Sequence, residues 1–133
     1  MKSIRSLVIG AMAILAIAGL VSCSTIDMST KTEGQKLADN SDKGIAHVNA
    51  RVTGIYLFYF IPLISGDPEN VGSSSFFKDT VKPDSSVGML TRKASDLGVV
   101  RVSDLTLRES ESGGFSLWII WAKNTEASAN AVK

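Results

Sequence analysis

Between Leu7 and Val21 no residue carries a charge, and this apolar run is preceded by Lys2 and Arg5. It is shorter than the about 20 apolar residues of a spanning helix, and its Ala and Gly content matches a removable targeting segment better than a permanent one. From Ser24 to Ala46 the pattern inverts. Ser, Thr, Asp, Lys and Gly dominate without a sustained period, which predicts a flexible stretch with a reach of about 25 Å. A short helix around Gln35 to Ala38 would have nothing to bury its face.

Alternation sets in near His47, where Val48, Ala50 and Val52 interleave with Asn49, Arg51 and Thr53 in the period of a half-buried strand. From Ile55 to Ile61 every residue is apolar or aromatic, with Pro62 and the Gly66-Asp67-Pro68 turn closing the run. The favoured reading is one strand buried on both faces, and the alternative is a membrane-dipping or partner-binding edge. After the Ser-rich loop 72–75, Phe76 and Phe77 are expected to tuck onto the core. Pro83 then introduces Asp84, Ser85 and Ser86 as candidate N-caps. Val87, Leu90, Ala94 and Leu97 follow at helical spacing, and Gly98 provides a stop. Arg92, Lys93 and Asp96 fall on the solvated face of this helix, and Met89 projects to the same side. Val99 to Val102 reads as a second strand. Leu105 and Leu107 are out of phase with it, so a bulge is expected at Ser103 and Asp104. Glu109 to Gly114 reads as a hairpin turn into a third strand, Phe115 to Ala122, apolar on both faces. The end of the chain reads as a polar, frayed tail.

The expected fold is therefore α+β: a small three-stranded sheet of β-α-β-β type, a split βαβ in the order 1-3-2, with one helix packed on one face. The expected segments are a signal stretch 1–22, a tether 23–46, a folded domain 47–126 and a disordered tail 127–133. A single helix covers one face only. Either Ile55, Leu57 and Tyr59 with Trp118 and Ile120 (or with Leu117, Ile119 and Trp121) form a partner or self-association surface, or the 70–82 loop covers the second face internally.

Leu20-Val21-Ser22-Cys23 closes the apolar run, and these four residues resemble the lipobox of bacterial lipoprotein precursors. The resemblance implies cleavage between Ser22 and Cys23, a diacylglycerol on the Cys23 thiol and an N-acyl chain, such as palmitate, on its amino group. Each buried methylene contributes about 0.8 kcal/mol, so two or three chains hold a protein on a membrane where one does not. Ser24 follows the cysteine. In the sorting pattern of enteric-type bacteria this implies the outer membrane, facing the periplasm, where Asp would imply the inner one. The run Ala94-Ser-Asp-Leu97-Gly98-Val-Val-Arg-Val-Ser-Asp-Leu105 also resembles the helix-to-strand joint of small bacterial envelope families of βαβ type, departing where those families often carry Ala-Asp after the glycine. It covers too few residues to carry a function.

Removing residues 1–22 takes Lys2 and Arg5 from the 14 basic side chains and none of the 13 acidic ones, so the remainder has a net charge near −1. Nothing in that balance points to nucleic acid. Cys23 is the sole cysteine and His47 the sole histidine, and neither a zinc pattern, G-x-S-x-G, GxGxxG nor a P-loop occurs. Asp67, Glu69, Asp79 and Asp84 fall in turns and caps, where carboxylates serve local hydrogen bonding. The expectation is a non-enzymatic envelope lipoprotein without catalytic or metal residues, whose only bound group is the lipid on Cys23. Its partners would be membrane lipid and an envelope protein or a second copy. The alternative is a carrier or sensor of a small apolar ligand held between helix and sheet.

Overall fold

The computed structural model describes residues 23–32, 35–36, 44–99, 101–115 and 119–132. The expected signal segment 1–22, Leu117 and Trp118 lie outside the described residues. In chain order the elements are β1 (Ser24–Ser29), β2 (Lys31–Thr32), β3 (Gln35–Lys36), β4 (Gly44–Leu57), β5 (Ile61–Gly66), β6 (Ser74–Phe76), α1 (Pro83–Asp96), β7 (Arg101–Phe115) and β8 (Ile120–Val132). Six strands form one sheet in the order β6-β5-β4-β8-β7, and β1 also pairs with β4. All its ladders are antiparallel. Because β8 occupies one edge of β4 along its length, β1 and β5 share the other edge end to end: β1 lies beside residues 47–52 and β5 beside residues 54–57. β2 and β3 pair only with each other.

The three-stranded sheet expected from the sequence is thus overturned, for three physical reasons. First, Ile55–Ile61 is not one strand. Phe58 and Tyr59 adopt positive φ (50° and 76°), and the chain reverses there between β4 and β5. Second, the stretch expected as the start of a tether is β1, which alternates Ser24 and Ile26 towards the core with Thr25 and Asp27 towards solvent. Third, the expected tail belongs to β8. Ala127, Ala129 and Ala131 alternate with Ser128 and Asn130, and each alanine is completely buried. Alanine carries so little apolar weight that this period of two reads as polar in the sequence. The ESESGG stretch, expected as a turn, lies within β7.

α1 packs across β4 and β8, with Met89, Leu90 and Ala94 set against Val48, Ala50, Val52, Ala127 and Ala129. Its start is set by Lys82, an extended N-cap residue, followed by Pro83, whose fixed φ and missing N–H suit the first turn. Asp84 and Lys93 sit at the ends of the helix that favour their charges. Gly98, at φ 71°, ends it. Met89 is 1% exposed, against the expectation of a solvated position. Met89 belongs to the core cluster, against which Ile26 of the unforeseen β1 also packs, and the two residues line the groove on that flank of the helix. The bulge expected at Ser103 and Asp104 is present as a register shift between Ser103 and Thr106, with Asp104 at φ 54°.

The core is built almost wholly from Val and Ala, so Leu90, which is fully buried, supplies an unusually large share of its volume. Leu90→Ala is expected to cost about 2–5 kcal/mol through lost transfer energy plus a cavity. Urea titration followed by circular dichroism measures this as a lowered midpoint at unchanged slope.

Candidate functional site

Cys23 and Ser24 are built into the sheet. The carbonyl of Cys23 accepts a hydrogen bond from the Thr53 amide at 3.2 Å, and the Ser24 carbonyl accepts one from the Gly72 amide at 2.9 Å. The Ser24 hydroxyl, completely buried, donates to the Asp67 carbonyl at 2.5 Å. Gly66 packs edge-on against this pair, so closely that a Cβ there would stand 2.5 Å from the Ser24 nitrogen and 2.6 Å from the Cys23 carbonyl carbon. The 67–72 loop closes over the seat. Asp67 accepts from the Glu69 amide and the Asn70 side chain, which hold its carboxyl below the usual range. Thr80 braces the other side, its hydroxyl 2.6 Å from the Gly66 carbonyl and 2.7 Å from Ser65 Oγ. No flexible residue therefore separates Cys23 from the fold.

The two sides of the sheet differ. Residues directly opposite in antiparallel strands share a face, which puts His47, Asn49, Arg51 and Thr53 with Asn124, Glu126, Ser128 and Asn130 on the side away from α1. That side is a hydrogen-bonded polar lattice. Asn49 donates to Glu126 at 2.6 Å, Arg51 bridges to Glu126 at 3.0 Å, and the His47 ring meets Asn130 at 2.9 Å. Glu126 is held below its ordinary carboxylate range, first by the Asn49 bond and then, against the opposing pull of burial, by Arg51. A second face needing cover, as the sequence suggested, is accordingly absent over this region. The 78–82 segment instead extends the α1 layer, through Thr80 on Ser65 and Val81 beside Gly54.

At the β4–β5 turn the character changes. Phe58 (51% exposed), Tyr59, Phe60 (71%) and Ile61 stand in solvent, joined by Phe76 (63%) and Phe77 (75%). The Phe77 amide donates to the Leu63 carbonyl, which brings that residue to the same end of the sheet. The neighbouring hairpin is tied in where the Phe58 amide donates to the Ile119 carbonyl at 2.7 Å. Of the residues expected as an interface, Ile55, Leu57 and Ile120 share the side away from α1 near this end and are half-buried. Tyr59 leaves them, because the left-handed turn swings it to the opposite side. There it meets Trp121 edge-to-face at 5.3 Å and donates to Glu111 at 3.0 Å, a bond that raises its pKa. Lys123 lies 3.7 Å from the Tyr59 ring centre, 4.8 Å from that of Tyr56 and 3.9 Å from Glu111. Tyr56 is buried and donates to Asp79 at 2.5 Å; burial first, then that bond, holds its phenol far above the ordinary range. Gly113 supplies the bed for the Trp121 ring, which a Cβ would overlap. Phe58, Phe60 and Ile61, expected inside a buried strand, and Phe76 and Phe77, expected to tuck onto the core, stand exposed instead, because an aromatic run normally signals burial and the turn at Phe58 and Tyr59 breaks the strand.

Among the described residues no group of three His, Cys, Asp or Glu is placed to hold a metal, and no helix is long and apolar enough to cross a membrane. A groove of about 330 Å³ runs between α1 and the β1 side, lined by Ile26, Val71 and Met89 but also by Glu69, Arg92, Lys93 and Asp96. The chain matches no protein-family model, no curated protein and no solved structure.

Two outcomes are expected from this geometry. Gly66→Ala should unseat β1, and hydrogen exchange would show it as lost protection at the Thr53 and Gly72 amides while α1 stays protected. Glu126 has a folded pKa below its ordinary value of 4.5, so its contribution is complete above that value and is lost as pH falls through the lower, folded one. Thermal midpoints measured from pH 6 downward should therefore drop below about 4.5, and Glu126→Gln should flatten that part of the profile.

Proposed function

We propose that this chain is a bacterial envelope lipoprotein, cleaved between Ser22 and Cys23 and held by diacylglycerol and an N-acyl chain on Cys23, with a non-enzymatic interaction role in the envelope. The observation that carries the reading is the four-residue match Leu20-Val21-Ser22-Cys23 directly after an uncharged run. The place of Cys23 in the fold supports it. As the first residue before β1, with its carbonyl bound by Thr53, it would join lipid to domain without an intervening linker. The domain would then ride flush against the bilayer, in contrast to the 25 Å reach expected of a flexible segment. Ser24 implies the outer membrane by the enteric sorting pattern. An envelope protein or a second copy remains the expected protein partner, and nothing in the balance of charge favours nucleic acid.

The alternative, a carrier of a small apolar ligand between helix and sheet, has less support. That space is filled by Val48, Val52, Met89 and Leu90, and the groove beside the helix is lined in part by charged side chains.

Expression of the full chain in a bacterial host with labelled palmitate tests the reading. The wild type should incorporate label and accumulate as a heavier precursor when the lipoprotein signal peptidase is inhibited. Cys23→Ala should take up none. A wild-type chain that matures without label would overturn the anchor.

A further inference from the structure

Among the residues whose burial is described, the core contains no phenylalanine. Of the five in the chain, four stand more than half exposed, at Phe58, Phe60, Phe76 and Phe77. Phe115 pairs through its backbone with Ile120 at the same end of the sheet. The core is made of Val, Ala, Met and Leu instead. A folded protein gains stability by burying its largest apolar side chains, so a domain that packs alanine inside and gathers its phenylalanines at one exposed end is not arranged for stability alone. Such a contiguous apolar end marks a contact site.

We infer that this aromatic end, Phe58, Phe60 and Ile61 with Phe76 and Phe77, inserts into the interfacial layer of the same bilayer that holds Cys23. The inference rests on the anchoring proposed above and adds a second point of attachment. Three observations select a membrane as occupant. Position comes first: Cys23 abuts Gly66 at the far end of β5, and Ile61 begins that strand. Five residues of strand put the anchor and the aromatic end ~16 Å apart on one edge of the sheet, so one lipid surface meets both when the strands lie at a slant to it.

Composition comes second. Tyr59 and Trp121, the amphipathic aromatics characteristic of membrane–water boundaries, sit just behind the exposed phenylalanines and contact each other. Charge comes third. Behind the apolar tip Lys123 is neutralised by Glu111 and Lys82 lies 3.8 Å from Asp79, while the exposed Lys78, next to Phe77, can keep its ammonium at headgroup level as the tip docks. The tip is a turn of a few residues and reaches only the headgroup and upper acyl region.

The test uses the lipidated chain. Once Cys23 carries lipid, no thiol remains in the mature protein, so Phe60→Cys creates a single site for a polarity-sensitive thiol dye. Glu69→Cys provides a control on the loop beyond the Cys23 seat. Each labelled protein is reconstituted into phosphatidylethanolamine–phosphatidylglycerol vesicles, with and without bromine on the acyl chains.

The dye at position 60 should emit at shorter wavelength and be quenched about twofold or more by the brominated lipids, while the dye at position 69 is not quenched. An unquenched position 60 on protein carrying one dye per chain overturns tip insertion and leaves the anchor standing. Two dyes per chain, with Cys23 reactive, overturns the anchor instead. A blue shift that grows with protein density but ignores bromine would place a second copy on the tip, and would also overturn the inference.

Discussion

Everything else in the molecule leans on the ladder between β4 and β8. These strands pair from Gly44 to Leu57 against Val132 to Ile120, so each supplies one edge for the rest of the sheet: β1 and β5 dock on the free edge of β4, β7 on that of β8. The same pair forms the floor on which α1 rests. Its alternation is what makes this possible. On one side Val48, Ala50, Val52, Ala127, Ala129 and Ala131 form a smooth floor of small residues that lets the helix approach closely. On the other, Asn49 and Arg51 donate to Glu126 and the His47 ring meets Asn130, so that this side can face water without cover.

How much of this was legible depended on the strength of each local signal. The helix was, because Pro83, the spacing of Leu90 and Ala94 and the stop at Gly98 are separate physical constraints that agree. The bulge near Asp104 was too, since the valines before it and the leucines after it cannot share one face without an extra residue. The reversal at Phe58 and Tyr59 was not. Left-handed backbone is usually taken by Gly, Asn or Asp, and two aromatics there carry no turn signature. β1 and the last half of β8 were hidden for the opposite reason. Ser24 is small enough to be buried under the 67–72 loop and the alanines beneath the helix, yet all are too weakly apolar to announce it.

For the candidate site, the proposal for Cys23 rests on four adjacent residues of sequence, whereas the structural setting of that residue was not legible there. The seat depends on contacts across 43 residues between Ser24 and Asp67, and no local pattern encodes such a meeting. The expected interface was partly misplaced for a related reason. Membership of a face was assigned by counting twos along a strand, and Tyr59 lies beyond the point where the strand stops. The aromatic end emerges only once the turn and the β5–β6 pairing bring Phe58, Phe60 and Phe77 together in space.

The seat of Cys23 also has a bearing on the order of events in time. The place of β1 on β4 is framed by Gly66 and the 67–72 loop, which together enclose Ser24 in the folded protein. An enzyme working at the Cys23 thiol, or at the peptide bond before it, needs that backbone extended and free of Thr53. On the proposal that Cys23 is lipidated, such an enzyme would meet the most open substrate in a chain whose sheet is still one strand short. Maturation and the docking of β1 would then compete for the same few residues, and a slow enzyme would meet a substrate that has already been put away.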